Sequence, residues 1–199
     1  MADYRVKEML LTLQGEGAKT GTAVVLLRFE GCNLKCSFCD TDFTGTDGEG
    51  GGVFATAQEL ADAVQKKWRS SLPLNVLCTG GEPLMQLDEK LIKEFHARGY
   101  NILLETNGTF VLPENPDWVC ISPKAGTVTV LNAGDEIKIV FPQEGIDPRQ
   151  YENMNFTHFW IQPMYNADYK QNLKASIDYC IAHPKWRLSL QTHRFTGMP

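Results

Sequence analysis

Seven short runs of apolar and β-branched residues limit most strongly how this 199-residue chain can fold. The runs are nearly continuous rather than alternating, which is typical of strands in a parallel sheet that is covered on both faces. They span residues 24–29, 74–78, 101–105, 118–121, 136–141, 158–161 and 187–190. The first 23 residues contain only a short apolar stretch, and the Gly-rich segment 45–52 is expected to be a loop. The pattern predicts an α/β fold.

Three segments have the apolar periodicity of helices. The first begins at Thr56, which forms a capping-box pattern with Glu59 and precedes a stripe of Leu60, Val64 and Trp68. The second spans about 88–98 and the third about 168–183. Since these are too few for a closed barrel, the sequence predicts an abbreviated partial (β/α) barrel with about six parallel strands and about three full helices. One domain is expected over residues 1–199.

Composition excludes several classes of function. The net charge of -5 and the absence of a Lys/Arg run argue against a nucleic-acid partner. The N-terminus lacks the pattern of a signal peptide, and no apolar run reaches the roughly 18 residues of a membrane span. The chain is therefore expected in the cytoplasm, away from membranes. In that reducing compartment six cysteines indicate metal ligation or buried packing rather than disulfides.

Polar clusters follow five of the predicted strands. They occupy residues 79–83, 106–108, 122–124, 162–163 and 191–193. Ligand sites of parallel α/β folds gather at the carboxyl ends of strands, so the five clusters are expected to share one active site. Each cluster alone could be an ordinary polar loop.

Cys32, Cys36 and Cys39 form a Cys-x3-Cys-x2-Cys motif directly after the first predicted strand. Three closely spaced thiolates can hold three irons of a [4Fe–4S] cluster and leave the fourth iron open to another ligand. A structural zinc normally needs four protein ligands, and no fourth Cys or His lies nearby. Zinc and a plain electron-transfer cluster remain the alternatives. The other cysteines, Cys78, Cys120 and Cys180, lie among apolar residues and are expected to be small buried hydrophobes.

With Phe38 just before its last cysteine, the motif resembles that of radical S-adenosylmethionine enzymes. The resemblance implies that the open iron binds the amino and carboxylate groups of S-adenosylmethionine. The segment 79–83 resembles the Gly-Gly-Glu segment of that superfamily, which implies that Gly81 and Glu82 contact the methionine amino group.

Further motifs resemble the 7-carboxy-7-deazaguanine synthases. They lie at residues 13–17, 28–34, 39–43, 79–83, 105–108, 122–124, 162–164 and 191–193. The resemblance implies conversion of 6-carboxy-5,6,7,8-tetrahydropterin to 7-carboxy-7-deazaguanine with release of ammonia, in queuosine and 7-deazapurine biosynthesis. It also implies that S-adenosylmethionine is used catalytically and that Mg²⁺ is required. A homodimer and an electron donor such as flavodoxin are implied as partners.

The resemblance assigns roles to individual residues. Substrate binding falls to Leu13, Gln14, Gly15, Arg28, Thr79 and Pro199. A catalytic role, in proton transfer or in anchoring the substrate, is assigned to Glu16, Glu105 and His193. The S-adenosylmethionine site comprises Phe38, Cys39, Asp40, Gly81, Glu82, Ser122, Pro123, Lys124, Gln162, Pro163, Met164 and Tyr165. Thr41 is assigned to Mg²⁺, whereas its local sequence alone favours a turn or N-cap hydroxyl.

Two other functions use part of this pattern. A glycyl-radical-enzyme activating protein shares the cysteine motif but acts on a macromolecule, whereas Asp40-Thr41 and the His193 motif favour a small substrate. A non-catalytic iron–sulfur electron carrier would not need the Gly-Gly-Glu segment or five strand-end clusters.

Overall fold

A computed structural model describes residues 3–113 and 116–198, and its strands form one sheet of nine. The strands are β1 (Tyr4–Leu13), β2 (Ala23–Phe29), β3 (Gly52–Phe54), β4 (Asn75–Gly80), β5 (Asn101–Thr106), β6 (Trp118–Ile121), β7 (Ala133–Phe141), β8 (Asn155–Pro163) and β9 (Arg187–Leu188). Their order is β3-β1-β2-β4-β5-β6-β7-β8-β9, and every pairing from β2 to β9 is parallel. The predicted α/β partial barrel is confirmed, with seven parallel strands where about six were predicted.

Two strands escaped prediction and extend the sheet beyond β2. Strand β1 pairs antiparallel with β2 from Val6↔Phe29 to Leu13↔Ala23, and β3 pairs antiparallel with β1. Charged residues interrupt the apolar pattern of β1, and its register shifts between Val6 and Glu8. Residues 45–52 were predicted to be a loop, and this was wrong at Gly52, where β3 begins because β1 offers it backbone partners.

All three predicted helices are confirmed, as α1 (Ala57–Lys67), α2 (Glu89–Ala97) and α3 (Tyr169–Ala182). Thr56 caps α1 by accepting the Glu59 N–H at 3.1 Å, as the capping-box pattern predicts. The Glu59 carboxylate reaches back to the Ala55 N–H at 2.9 Å, one residue earlier than in the standard box. A fourth helix, α4 (His193–Thr196), is too short for periodicity to reveal it.

Helices α1, α2 and α3 cover one face of the sheet and leave the other for the site. Helices α1 and α2 pack their apolar stripes, including Leu60 and Phe95, against β1, β2, β4 and β5. Helix α3 lies over Ile137 and Ile139 of β7. Because side chains alternate along a strand, the intervening Lys138 points to the opposite, inner face. No helix in the described ranges is long and apolar enough to cross a membrane.

Candidate active site

A cavity of about 540 Å³ opens at the carboxyl ends of the parallel strands. It is lined from all five polar clusters, through Thr79, Thr106, Ser122, Gln162 and His193 among others. Parallel strands bring their carboxyl ends to one edge, so segments that are far apart in sequence converge there. The expectation of one shared cavity is confirmed.

Most of the predicted site residues line this cavity. They are Leu13, Gln14, Gly15, Glu16, Arg28, Cys32, Cys36, Phe38, Cys39, Asp40, Thr41, Thr79, Gly81, Glu105, Ser122, Lys124, Gln162, Pro163, Tyr165 and His193. Three others, Glu82, Pro123 and Met164, lie outside the lining. Pro199 lies outside the described residues.

The three motif cysteines lie on an irregular loop between β2 and β3, and all of them face the cavity. A tetrahedral zinc with Zn–S distances of about 2.3 Å would draw three sulfurs to within about 3.8 Å of one another. In the described part of the chain, the groups of three potential ligand atoms within 4.8 Å do not include these thiols. Three thiols on one loop that faces the cavity can each bind a separate iron of a cluster.

The loop after β4 passes directly against the cysteine loop at Gly81. A Cβ atom on Gly81 would lie 2.0 Å from the Gly31 carbonyl oxygen and 2.8 Å from Cys32 Cβ. The Glu82 N–H donates to the same Gly31 oxygen at 2.9 Å. Only glycine fits at position 81, and the contact fixes one edge of the cysteine loop.

The Glu82 carboxylate is buried beneath this contact instead of facing the cavity. It accepts hydrogen bonds from the Thr106 hydroxyl at 2.7 Å, the Asn107 N–H at 2.8 Å and the Leu84 N–H at 3.0 Å. Burial raises the pKa of Glu82, although these hydrogen bonds oppose the shift. Its oxygens join the loops after β4 and β5.

On the opposite wall the Lys138 ammonium lies between two carboxylates. Its Nζ donates to Glu16 Oε2 at 2.5 Å and to Glu105 Oε2 at 2.7 Å, and its side chain is only 4% exposed. Both acids were predicted from the sequence, but the lysine was not. The signal was a single Lys between isoleucines 137 and 139, inside a strand whose neighbours are buried.

Burial and pairing set the protonation of this group. Burial opposes ionisation of Glu16, but the Lys138 ammonium and a hydrogen bond from Gln191 outweigh it and lower the pKa of Glu16. For Glu105 burial outweighs the same ammonium, and with the charges of Glu16 and Glu136 it raises the pKa. Burial and the shared Lys138 ammonium thus act in opposite directions on the pKa of both carboxyl groups.

A hydrogen-bonded chain connects this group to the cysteine loop. Gln191 donates to Glu16 Oε1 at 2.9 Å and to Asp40 Oδ2 at 3.0 Å. Arg194 of α4 pairs with Asp40 and donates to Gln191 Oε1. The neighbouring His193 is half-buried, and this burial lowers its pKa despite the nearby Glu16 charge. The C-terminal segment therefore closes the site beside Cys39.

Two of the predicted substrate residues, Gln14 and Gly15, lie next to the acidic group. Gln14 donates to Glu105 Oε1 at 3.0 Å, and Gly15 passes so close to His193 that a Cβ would lie 2.6 Å from its Nδ1. Arg28 faces the cavity and donates through Nε to Glu8 Oε1 at 2.6 Å, a partner that the sequence analysis missed.

The predicted S-adenosylmethionine residues are spread around the mouth and the cysteine side. Lys124 folds back to donate to the Ser122 carbonyl and hydroxyl at 2.6 and 2.7 Å, and burial lowers its pKa. The ring of Tyr165 lies 3.5 Å from the Arg194 guanidinium carbon and is 44% exposed.

The three remaining cysteines differ in their surroundings. Cys78 is buried in the apolar core, as predicted, and Cys180 is half-buried on α3. Cys120 is buried as predicted, but the expectation of apolar surroundings was wrong. Its thiol faces inward, where it and oxygens of Glu105 and Glu136 lie within 4.8 Å of one another. Strand alternation explains the error, since its apolar neighbours 119 and 121 point to the other face.

Comparison with known proteins agrees with this arrangement. Residues 26–138 match the model of the radical SAM superfamily. The chain is 49% identical to the 7-carboxy-7-deazaguanine synthase of Caulobacter vibrioides, over 98% of this chain and 99% of the relative. It is 47% identical to the enzyme of that name from Bordetella pertussis, with the same coverage.

A solved structure has the same fold. The crystal structure of QueE from Escherichia coli superposes with a TM-score of 0.74 at 27% identity, covering 96% of this chain and 95% of that one. The chain belongs to the 7-carboxy-7-deazaguanine synthase family of the radical SAM superfamily.

Proposed function

We propose that this protein converts 6-carboxy-5,6,7,8-tetrahydropterin to 7-carboxy-7-deazaguanine and ammonia. One observation carries the proposal: the three motif cysteines and the Glu16–Lys138–Glu105 group line the same cavity. Its volume of about 540 Å³ suits a small molecule rather than a macromolecular segment. This favours a pterin over the protein substrate of an activating enzyme.

Cys32, Cys36 and Cys39 would hold the [4Fe–4S] cluster, and the residues around Asp40, Gly81 and Ser122 would hold S-adenosylmethionine. Bound together, the two groups supply the hydrogen abstraction that starts radical reactions of this class. The chain's own side chains would bind the substrate, orient it and transfer protons.

The substrate-side residues suit a carboxylated pterin. Arg28 has a planar guanidinium that can pair with a carboxylate, and Gln14 offers an amide to the polar edge of the ring. The product equals the substrate minus ammonia, so the reaction needs no net oxidant, but the departing nitrogen must receive protons. Glu16 and Glu105 can hold and pass a proton at their carboxylate oxygens, with Lys138 balancing the charge.

Turnover tests the proposal directly. Reduced, reconstituted protein is incubated anaerobically with S-adenosylmethionine and the carboxytetrahydropterin that is labelled with deuterium at C6. Because the overall reaction is redox-neutral, we expect product to exceed added S-adenosylmethionine severalfold, with the label entering deoxyadenosine and returning to product. Deoxyadenosine that accumulates one-for-one with product would contradict catalytic use of the cofactor. Absence of any deazaguanine product would overturn the function.

Thr41 is proposed to bind Mg²⁺ beside the cysteine loop. Its hydroxyl lines the cavity and lies 3.3 Å from Asp40 Oδ1, and oxygen donors of this kind suit Mg²⁺. No helix begins at Thr41, and a turn hydroxyl is the alternative that the following experiment separates from a metal ligand.

If Thr41 is a ligand, Thr41→Ala will keep its iron and S-adenosylmethionine binding, but will need more Mg²⁺ to reach half-maximal activity. A water molecule would replace the lost oxygen, so we expect the Mg²⁺ requirement to rise by about tenfold, a weakening typical of altered metal-site surroundings. Titration of Mg²⁺ against activity measures this, and Thr41→Ser, which keeps the oxygen, is the matched control. An unchanged Mg²⁺ curve for Thr41→Ala would assign the hydroxyl to loop structure.

The cellular setting is proposed from the family resemblance together with the cysteines. All six cysteines are free, as suits the reducing cytoplasm. There the protein would act as a homodimer and receive electrons from a donor such as flavodoxin.

A further inference from the structure

Lys138 is a buried cation in the middle of a strand, and a buried cation requires compensation. Glu16 approaches its ammonium from the segment after β1 and Glu105 approaches it from β5. Three further side chains interact electrostatically with the same group: Cys120 of β6, Lys124 from the loop after β6 and Glu136 of β7. The inner face of the barrel thus carries a compact ionic cluster at the cavity wall.

The donor set of Glu105, Cys120 and Glu136 raises the question of a bound metal, because its three ligand atoms converge within 4.8 Å. The protein already uses most of these atoms. Glu136 accepts from the Trp118 indole N–H at 2.7 Å and from the Ala18 N–H at 2.9 Å. Both oxygens of Glu105 also accept protein donors, one of which is Lys138. The cation that serves this cluster is therefore the lysine.

The lysine also anchors the chain of hydrogen bonds that crosses the site. Its partner Glu16 accepts from Gln191, which in turn holds Asp40 next to Cys39. The same Glu16 segment carries Gln14, whose amide holds Glu105. Displacement of Lys138 would thus release Glu16 and Glu105 together.

We propose that Lys138 is a positioning residue of this active site, which holds Glu16 and Glu105 in place on the cavity wall and compensates their charge during turnover. The role in turnover rests on the proposed function. The effect of the Lys138 charge on the protonation of Glu16 and Glu105 is a property of the folded protein, and it can be measured without substrate.

The sign of the effect follows from the charges. With the ammonium present, an opposite charge favours the ionised form of each carboxyl group. With a neutral side chain at position 138, two buried carboxylates face each other, and like charges favour protonation of one of them. Protonation should therefore occur at higher pH in Lys138→Met than in the wild type, by about 1–3 pH units.

Infrared difference spectra over a pH titration measure this protonation, and a Glu105→Gln spectrum assigns the carboxyl band. Lys138→Met is compared with Lys138→Arg, which keeps the charge, and with Lys174→Met, which removes an exposed lysine paired with Asp178 on α3. We expect the pH at which this carboxyl group becomes protonated to rise only in Lys138→Met. The acidic limb of the activity–pH profile is expected to move in the same direction, with kcat lowered at least tenfold at neutral pH.

A carboxyl titration of Lys138→Met that matches the wild type would overturn the proposal, as would an equal shift in Lys138→Arg. If Lys138→Met does not fold, the double variant Lys138→Met/Glu105→Gln is used instead. It removes one buried charge of each sign, and the protonation of Glu16 is then measured. Protonation of Glu16 should still occur at higher pH than in the wild type, and an unchanged titration of Glu16 would likewise overturn the proposal. Failure of the wild type to convert the pterin would contradict the proposed function, while the infrared result would still decide the role of Lys138.

Discussion

Replacement of any one motif cysteine is expected to remove the cluster and all activity. Anaerobically reconstituted wild-type protein should contain about four irons per chain with broad visible absorption. In Cys32→Ala, Cys36→Ala or Cys39→Ala one iron loses its only protein ligand. Because no other Cys or His lies beside this loop in the sequence to replace it, iron content should fall close to zero. Iron analysis and the visible spectrum measure the loss.

The other three cysteines provide matched controls in the same chain. Cys78→Ala and Cys180→Ala should keep iron and colour, because one thiol lies in the apolar core and the other lies on α3. Cys120→Ala should also keep its iron, since Cys120 belongs to the Lys138 cluster and not to the cysteine loop. Anaerobically purified protein that held stoichiometric zinc without an iron chromophore would contradict the assignment of the motif.

The strands that could be predicted from the sequence are those whose apolar pattern matches their burial in the folded protein. Strands β2 and β4–β9 pair in parallel and bury one face against the helices, so most of their residues are apolar. Strand β1 lies next to the sheet edge, and its charged side chains find partners across space, as Lys7 does with Asp42 and Asp47. Such partners leave no periodic signal, and the strand was missed.

In the site, sequence motifs identified residues better than they identified what those residues contact. Glu16 and Glu105 were predicted separately as candidate catalytic carboxylates, and both lie on one wall of the cavity. The lysine between them was not predicted, because it lies in a strand of buried residues. Glu82 belongs to a motif, yet its carboxylate turns to Thr106 and Asn107. The contact of Gln191 with Asp40 joins residues 151 positions apart, and only the topology brings them together.

Gly81→Ala is expected to disrupt the cysteine loop without touching a cysteine. The added methyl group would lie 2.0 Å from the Gly31 carbonyl oxygen and 2.8 Å from Cys32 Cβ, so the backbone of one loop must move. Overpacking of this kind typically costs about 1–3 kcal/mol. Since Cys32 lies on the displaced segment, we expect iron content after reconstitution to fall at least threefold and activity to fall further. Thermal unfolding and iron analysis measure the two effects.

Gly99→Ala separates this clash from the general cost of replacing a glycine. Gly99 follows α2 with φ of +73°, and an added Cβ would meet no other atom within 4 Å, so its substitution introduces left-handed strain alone, about 1–2 kcal/mol. Gly81 lies outside the left-handed region, so its substitution introduces the clash alone. The two variants should therefore lose similar stability, whereas only Gly81→Ala should lose iron. Equal iron content in both would mean that the cysteine loop does not depend on the close approach at Gly81.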